Sequence, residues 1–327
     1  MALRAAPGLG AAALGCCWWF GAGGASGSGA ASAPAKGQEE RRVFHDGRHT
    51  EGGHGPFRCG GFFTVLATEW EHDETCAEAF ANHLPRLKVL SAQMVDFGTR
   101  LIVFTTRLGG DRLDARCRPV LPGIEVADFN SSALLARHGF SQSLVSVIRT
   151  WRFQARKQLR ADIFRLCLAW ETGLSYVDTD ILFLAPTPDP FLEEYVAAIV
   201  WASSQASLEI TNAAFCLGPR VLDRMIAGVR DTIERKGRDQ EYFYTELGSH
   251  IFQRSVLNNG RIRVLSHNHP EHWDTPRLAA QYRDYGHLQL HLTGAIRQFS
   301  ADKGREGYAA LVQRVRRDLD LEPLRLL

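Results

Sequence analysis

An apolar helical pattern that turns into a β-rich stretch at a single glycine constrains the fold of this chain most. The segment ADIFRLCLAWETG (161–173) predicts a buried helix, and Gly173 is placed to end it as a C-cap. Its apolar residues recur at positions i, i+3, i+4 and i+7, namely Ile163, Leu166, Cys167 and Trp170. The stretch SYVDTDILFL (175–184) follows, and its β-branched and aromatic residues predict a buried strand.

Two carboxylates, Asp178 and Asp180, lie inside the predicted strand, where an unpaired buried charge is costly. Side chains alternate along a strand, so both are predicted to point to the same face. Two hard oxygen donors on one face suit Mg²⁺ or Mn²⁺, which complete their shells with phosphate oxygens and water. Such an ion stabilises the charge on a departing nucleotide diphosphate. A surface turn without a metal is the alternative.

Three further polar residues, Asp162, Arg165 and His291, each have two interpretations. Asp162 and Arg165 are three residues apart and share a face of the apolar helix, which suits a ligand site or a purely structural ion pair. His291 alternates with apolar neighbours in LQLHL (288–292), so it is either an ordinary histidine or one near the metal.

The rest of the chain alternates predicted strands with predicted helices, which indicates an α/β layered domain with a mainly parallel sheet. Asn130 or Ser131 is placed to cap a helix. The predicted strands are GFFTVLAT (61–68), RLIVFTT (100–106) and GIEVADF (123–129). The predicted helices are 74–94, interrupted at Pro85, and 141–172.

Charge and cysteine usage limit the function classes. The net charge of +2 without a basic cluster argues against a nucleic-acid partner. The seven cysteines have no zinc-binding spacing. Because their number is odd, at least one thiol is free or pairs with another chain. Cys167 is predicted to be a small buried hydrophobe. Cys59, Cys76 and Cys117 offer one disulfide if the chain is luminal.

Residues 1–42 differ from the rest of the chain. An uncharged apolar stretch, Ala6–Ala25, follows Arg4 and precedes small residues, which predicts a secretory signal or a signal-anchor with a flexible linker. The folded domain is predicted to span 57–327, and the protein is predicted to enter the secretory pathway and to reside in the Golgi lumen. A disordered Ala/Gly-rich tail is the alternative.

The stretch from 161 to 184 resembles the Asp-x-Asp sugar transferases with a GT-A fold, among them α1,4-glycosyltransferases and yeast-type initiating α-mannosyltransferases. The family pattern is matched by Asp162, Arg165, Gly173, Tyr176, Asp178 and Asp180. Leu174 stands where the family usually has a second glycine. The likeness extends weakly over 62–299, and it implies a single Rossmann-like GT-A domain with a mixed central sheet.

The resemblance also implies roles for individual residues. The implied donor site consists of Asp162, Arg165, Tyr176 and Asp178. Asp178 would contact ribose or sugar hydroxyls, and Asp180, with Asp178 beside it, would ligate Mn²⁺ or Mg²⁺. Asn212 would contact the sugar or the acceptor. Asp178, Asp180 and Asn212 are thus the predicted catalytic residues.

The implied activity is metal-dependent transfer of a hexose from UDP- or GDP-hexose to a glycan, glycolipid or glycoprotein, with retention at the anomeric carbon. One alternative is a catalytically degenerate GT-A domain that binds glycans or nucleotides. Another is a haloacid-dehalogenase-type phosphatase with an aspartate nucleophile. Ile181 and Leu182 after the second aspartate, and a helix that ends just upstream, disfavour the phosphatase.

Overall fold

The computed structural model describes parts of the unit Val43–Leu327. The described residues are 59–66, 75–80, 83–106, 116–150, 154–183, 194–201, 207–237, 242–243, 245–256, 262–268, 289–291 and 307–325. The predicted signal or anchor at residues 1–42 lies outside them, so its nature stays a prediction. Within the described ranges, no helix has the length and apolarity needed to cross a bilayer.

Strands and helices recur along the described chain, and the three strands predicted within 61–129 are present. The strands are β1 (Phe62–Leu66), β2 (Leu101–Thr105), β3 (Ile124–Asp128), β4 (Ser175–Val177), β5 (Ile181–Phe183), β6 (Tyr195–Trp201), β7 (Ser207–Cys216), β8 (Arg263–Asn268) and β9 (Gln289–His291). The helices are α1 (Cys76–Ala79), α2 (Leu84–Asp96), α3 (Ser131–Arg137), α4 (Gln142–Thr150), α5 (Gln154–Thr172), α6 (Pro219–Lys236), α7 (Ser249–Val256) and α8 (Gly307–Asp318).

The described strands form one sheet in the order β3-β2-β1-β4-β7-β6-β8-β9-β5. The first four strands are parallel, and β7 then runs antiparallel to both β4 and β6. The α/β class and the mixed central sheet implied by the GT-A resemblance are therefore confirmed. The mainly parallel sheet predicted from the alternation of elements is also confirmed, since among the described strands only β7 and β5 run antiparallel to their neighbours.

Helices cover both faces of the sheet, which is why β1 and β2 are almost entirely apolar. Every residue of β1 and β2 is buried. Phe63 and Val65 of β1 pack in the core that includes α5 and α6. Phe62 and Leu66 point to the opposite face, where they pack in the core that includes α2.

The stretch SYVDTDILFL is not one strand. β4 ends at Val177, a turn occupies 178–180, and β5 begins at Ile181, whose N–H donates to the Asp178 carbonyl at 3.2 Å. β4 lies between β1 and β7, whereas β5 pairs with β9 at the end of the sheet. The turn takes the two carboxylates out of a buried ladder, where two like charges on one face would be costly.

Two predicted helices each contain more than one of the described helices. Pro85 lies in the first turn of α2, where its missing N–H costs no hydrogen bond, so the predicted interruption is confirmed. The segment predicted as one helix over 141–172 contains α4 and α5, and residues 151–153 between them lie outside the described residues.

The structure contains two disulfides, Cys59–Cys216 and Cys76–Cys117, where the sequence offered one. The pairing of Cys216 was missed because only the sheet order brings the end of β7 close to the residues before β1. Cys167 is free and fully buried, as predicted, and burial raises the pKa of its thiol well above the usual range.

Removal of the longer disulfide tests its contribution to stability. The free energy of unfolding of the Cys59→Ala/Cys216→Ala variant is expected to be about 3 to 5 kcal/mol lower than that of the wild type, because the bond joins residues 157 positions apart. Urea unfolding with and without reductant measures the effect. Cys167→Ala is the control, and its response to reductant should match the wild type. Equal midpoints for the wild type and the double variant without reductant would contradict the prediction.

Candidate active site

The guanidinium of Arg165 is the centre of a buried polar cluster between α5, β4 and β7. The side chain is 5% exposed. Its contacts are Nη2 to Asp162 Oδ1 at 3.1 Å, Nη1 to the Asn212 carbonyl at 2.8 Å, Nη1 to Asp178 Oδ1 at 3.5 Å, and Cζ at 4.4 Å from the Tyr176 ring centroid. Arg165 thus forms one cluster with four of the other five predicted site residues, Asp162, Tyr176, Asp178 and Asn212.

The tight connection between α5 and β4 explains how the helix charges reach the strand end. Gly173 adopts φ +63°, which glycine tolerates, and the chain reverses there. Arg165 lies about 12 Å back along the helix and Asp178 about 16 Å forward along the extended chain, so the two end up side by side. Leu174 does not require a positive φ and packs against the core, so the turn forms without a second glycine.

Asn212 enters the site because β7 runs antiparallel to β4. Val177 pairs with Ala214, and the Asp178 N–H donates to the Ala213 carbonyl at 2.7 Å. This register places Asn212 just beyond the end of β4. Its side-chain Nδ2 donates to Asp162 Oδ1 at 2.7 Å, while its carbonyl accepts from Arg165. Asn212 therefore holds both helix charges in place.

Asp162 is the carboxylate most affected by its surroundings. Burial raises its pKa to about 6, although the charge of Arg165 and the hydrogen bond from Asn212 act in the opposite direction. The nearby charge of Asp178 adds to the rise. The loss of hydration therefore outweighs the attraction of the ion pair, as is common for buried pairs.

Tyr176 acts on Asp178 from inside the protein. It is 2% exposed, and its ring stacks on Phe215 with centroids 5.4 Å apart. Its hydroxyl donates a short hydrogen bond to Asp178 Oδ1, and burial raises the pKa of that hydroxyl. Tyr176 thus fixes the direction of Asp178, and its predicted contact with a donor stays a prediction.

The two carboxylates of the turn have different surroundings. The side chain of Asp178 is 27% exposed, whereas Asp180 is buried and close enough to His83 for its charge to raise the pKa of that imidazole. Burial and the charge of Arg86 outweigh this effect and lower the pKa of His83 to about 4. Sequence reasoning missed His83 because it immediately precedes α2, far from the motif along the chain.

Gly248 is a second residue that sequence reasoning missed. It immediately precedes α7 and lies against the Asp162–Asn212 pair. A Cβ on Gly248 would lie 2.5 Å from Asn212 Nδ2 and 3.0 Å from Asp162 Oδ2. The only signal in the sequence is a glycine at a helix start. Glycine suits position 248 because the backbone closely approaches Asp162 and Asn212, and not because its φ is unusual.

The carboxylates of Asp178 and Asp180 have the chemistry that a hard divalent cation needs. In the part of the chain that the structure describes, no group of three or more His, Cys, Asp or Glu residues forms a metal cage. Two carboxylates in one turn still suit Mg²⁺ or Mn²⁺, which are often bound by one or two carboxylates together with substrate phosphates. The backbone of His291 pairs with Ile181, the residue after Asp180.

Comparisons with known proteins add little to this geometry. No protein-family model matches the sequence, and a search of the curated proteins finds no match. Among solved structures, the PaToxG glycosyltransferase is similar to this chain with a TM-score of 0.41 and 9% identity. That match covers 83% of this chain and 81% of the other. At these values the likeness establishes neither a common family nor a common activity.

Substitution of Gly248 tests whether the close approach holds the site together. In Gly248→Ala, the new methyl group must push Asn212 away from Asp162, so we expect a loss of about 1 to 3 kcal/mol in unfolding free energy. Chemical denaturation measures it. Gly60→Ala is the matched control, because no atom lies within 4 Å of a Cβ built there. If Gly248→Ala and Gly60→Ala both unfold at the wild-type denaturant midpoint, the close approach at Gly248 does not exclude a larger side chain.

Proposed function

We propose that this protein is a metal-dependent glycosyltransferase that moves a hexose from a nucleotide-sugar, UDP- or GDP-linked, to a hydroxyl of a glycan, glycolipid or glycoprotein. The observation that carries the proposal is the buried Arg165 cluster, which holds Asp178 at the carboxyl end of β4. This end lies where the parallel strands give way to antiparallel β7. Ligands of open α/β sheets commonly bind beyond the carboxyl ends of the strands, where the strand order changes.

The chain's own groups divide the work of binding and orientation. Asp178 is partly exposed, as is Asn212, so it is placed to accept hydrogen bonds from ribose or sugar hydroxyls. Asp180, with Asp178 beside it in the turn, would hold the divalent cation. A bound Mn²⁺ or Mg²⁺ would act as a Lewis acid that stabilises the charge on the departing nucleoside diphosphate.

The buried residues behind Asp178 supply preorganisation. Arg165 and Tyr176 both contact Asp178 Oδ1, so that carboxylate is held before a substrate arrives. Asn212 and Asp162 hold Arg165 in turn. Fixed dipoles and charges of this kind stabilise a transition state without reorganisation at the moment of reaction. Retention at the anomeric carbon is part of the proposal through the family resemblance alone.

One observation favours a second function, a domain that binds glycans or nucleotides without turnover. The Asn212 side chain donates to Asp162, and Arg165 donates to the Asn212 carbonyl. Asp162, Arg165 and Asn212 therefore use part of their hydrogen-bonding capacity on one another. Turnover of a labelled nucleotide-sugar, measured over a panel of donors with Mn²⁺, separates the two functions.

We further propose that the protein works in the secretory pathway, with the Golgi lumen as its site. The two disulfides support an oxidising compartment, because disulfides are rare in reducing cytosol. The apolar stretch in residues 1–42 supports entry through a signal or signal-anchor.

Neutralising Asp180 tests the metal site. Asp180→Asn keeps the shape but removes one charge from the cation's shell, so metal-dependent nucleotide affinity is expected to fall by about tenfold or more. Calorimetry of nucleotide binding with and without Mn²⁺, on the wild type and the variant, measures this. Asp223→Asn, at an exposed position of α6, is the control. Equal affinity in all conditions would refute the metal site.

Replacing Arg165 with lysine tests the donor site. Lysine lacks the planar fork that contacts Asp162 and Asp178 together, so we expect donor affinity or turnover to fall about 10- to 100-fold while the fold survives. Donor kinetics and thermal unfolding are measured together. Arg224→Lys, exposed on α6, is the control. Wild-type kinetics combined with a lower melting temperature would show that the cluster is only structural.

A further inference from the structure

Asn130 lies in the sequence Asn130-Ser131-Ser132, which fits the N-glycosylation pattern Asn-x-Ser/Thr. Short patterns of this kind occur by chance, so the surroundings of the side chain decide whether the site is usable. Asn130 is exposed and stands directly before α3, on the chain that leaves β3. A modification there meets no packed neighbour.

The hydrogen bonding of Asn130 leaves the reactive atom available. Its Oδ1 accepts from the Ala133 N–H at 3.0 Å and so caps α3. Its Nδ2 makes no hydrogen bond to another described residue. An N-linked sugar is attached through Nδ2 and leaves Oδ1 as an acceptor. The cap is therefore compatible with the modification, and folding and glycosylation do not compete for the same atom.

The disulfides supply the second, independent observation. All four cysteines of Cys59–Cys216 and Cys76–Cys117 are buried, so the bonds belong to the folded core. Disulfides form and persist in oxidising compartments such as the lumen of the endoplasmic reticulum. N-glycosylation modifies secreted proteins at surface loops. A chain that acquires these bonds passes through the compartment in which Asn130 is open to modification.

We propose that Asn130 carries an N-linked glycan. The bond forms between Asn130 Nδ2 and the anomeric carbon of an oligosaccharide delivered as a lipid-linked diphosphate. The bond between that carbon and the diphosphate oxygen breaks, the lipid diphosphate leaves, and Nδ2 loses one proton. No oxidant or reductant is needed. The product keeps the amide oxygen on the Ala133 N–H.

Asn130 and Asp178 lie at the same edge of the sheet, because each follows the carboxyl end of its strand and the two strands are parallel. β3 is the first strand of the sheet, and β4, which leads to Asp178, is the fourth. With strands about 4.8 Å apart, the two strands are separated by about 14 Å. The glycan therefore covers the surface at α3.

The test uses the full chain expressed through the secretory pathway of a eukaryotic cell. The wild-type protein is digested with a peptide N-glycosidase, and mass spectrometry is used to examine the peptide that contains residue 130. Conversion of Asn130 to aspartate and a discrete loss of mass are the expected results. An unmodified Asn130 in the wild-type protein overturns the proposal, whatever the state of the cysteines.

Three variants separate glycosylation from folding. Ser132→Ala destroys the acceptor pattern and keeps the Asn130 cap, so it should lose the glycan and unfold at the temperature of the enzymatically deglycosylated wild type. Ser131→Ala is the matched control, and it should keep the glycan because the middle position of the pattern is free. Asn130→Asp should lose the glycan while its carboxylate still caps α3. A glycan that persists at this peptide in Ser132→Ala would overturn the assignment.

Discussion

The buried guanidinium of Arg165 is the interaction on which the candidate site depends. A charge with 5% exposure must be balanced within the protein, and Arg165 is balanced by Asp162, by Asp178 and by the Asn212 carbonyl. Loss of one partner of a buried pair commonly costs about 3 to 5 kcal/mol, because the other charge stays uncompensated. The cluster therefore fixes α5 against the ends of β4 and β7.

The surrounding structure keeps this cluster in position. Gly248 brings the start of α7 against the Asp162–Asn212 pair, where a Cβ atom would fit only if the Asn212 side chain shifted. The Cys59–Cys216 disulfide ties the end of β7, the strand of Asn212, to the residue that precedes β1. Sheet order, disulfide and glycine thus all act on β7, the strand of Asn212. Asp178 is partly exposed and is held by this arrangement, which suits a group that orients a substrate.

Local sequence patterns correctly predicted the features that depend on residues close together in the chain. Spacing of i, i+3 placed Asp162 and Arg165 on one face of α5, and the structure confirms their contact at 3.1 Å. The glycine C-cap at Gly173 and the Asn130 cap are confirmed for the same reason. The continuous strand over 175–184 was wrong, because apolar, β-branched composition does not reveal that β4 and β5 belong to different parts of the sheet.

The sequence by itself determined the α/β class and the charged pair of the buried helix, because both follow from periodicity within short segments. Only the tertiary structure decided that Gly248 and Cys216 belong with them, that Asn212 contacts Asp162, and that Asp180 lies near His83. These contacts join segments far apart in the chain, and their geometry comes from the antiparallel pairing of β7 with β4 and from the packing of helices on the sheet. No spacing in the sequence encodes such a register.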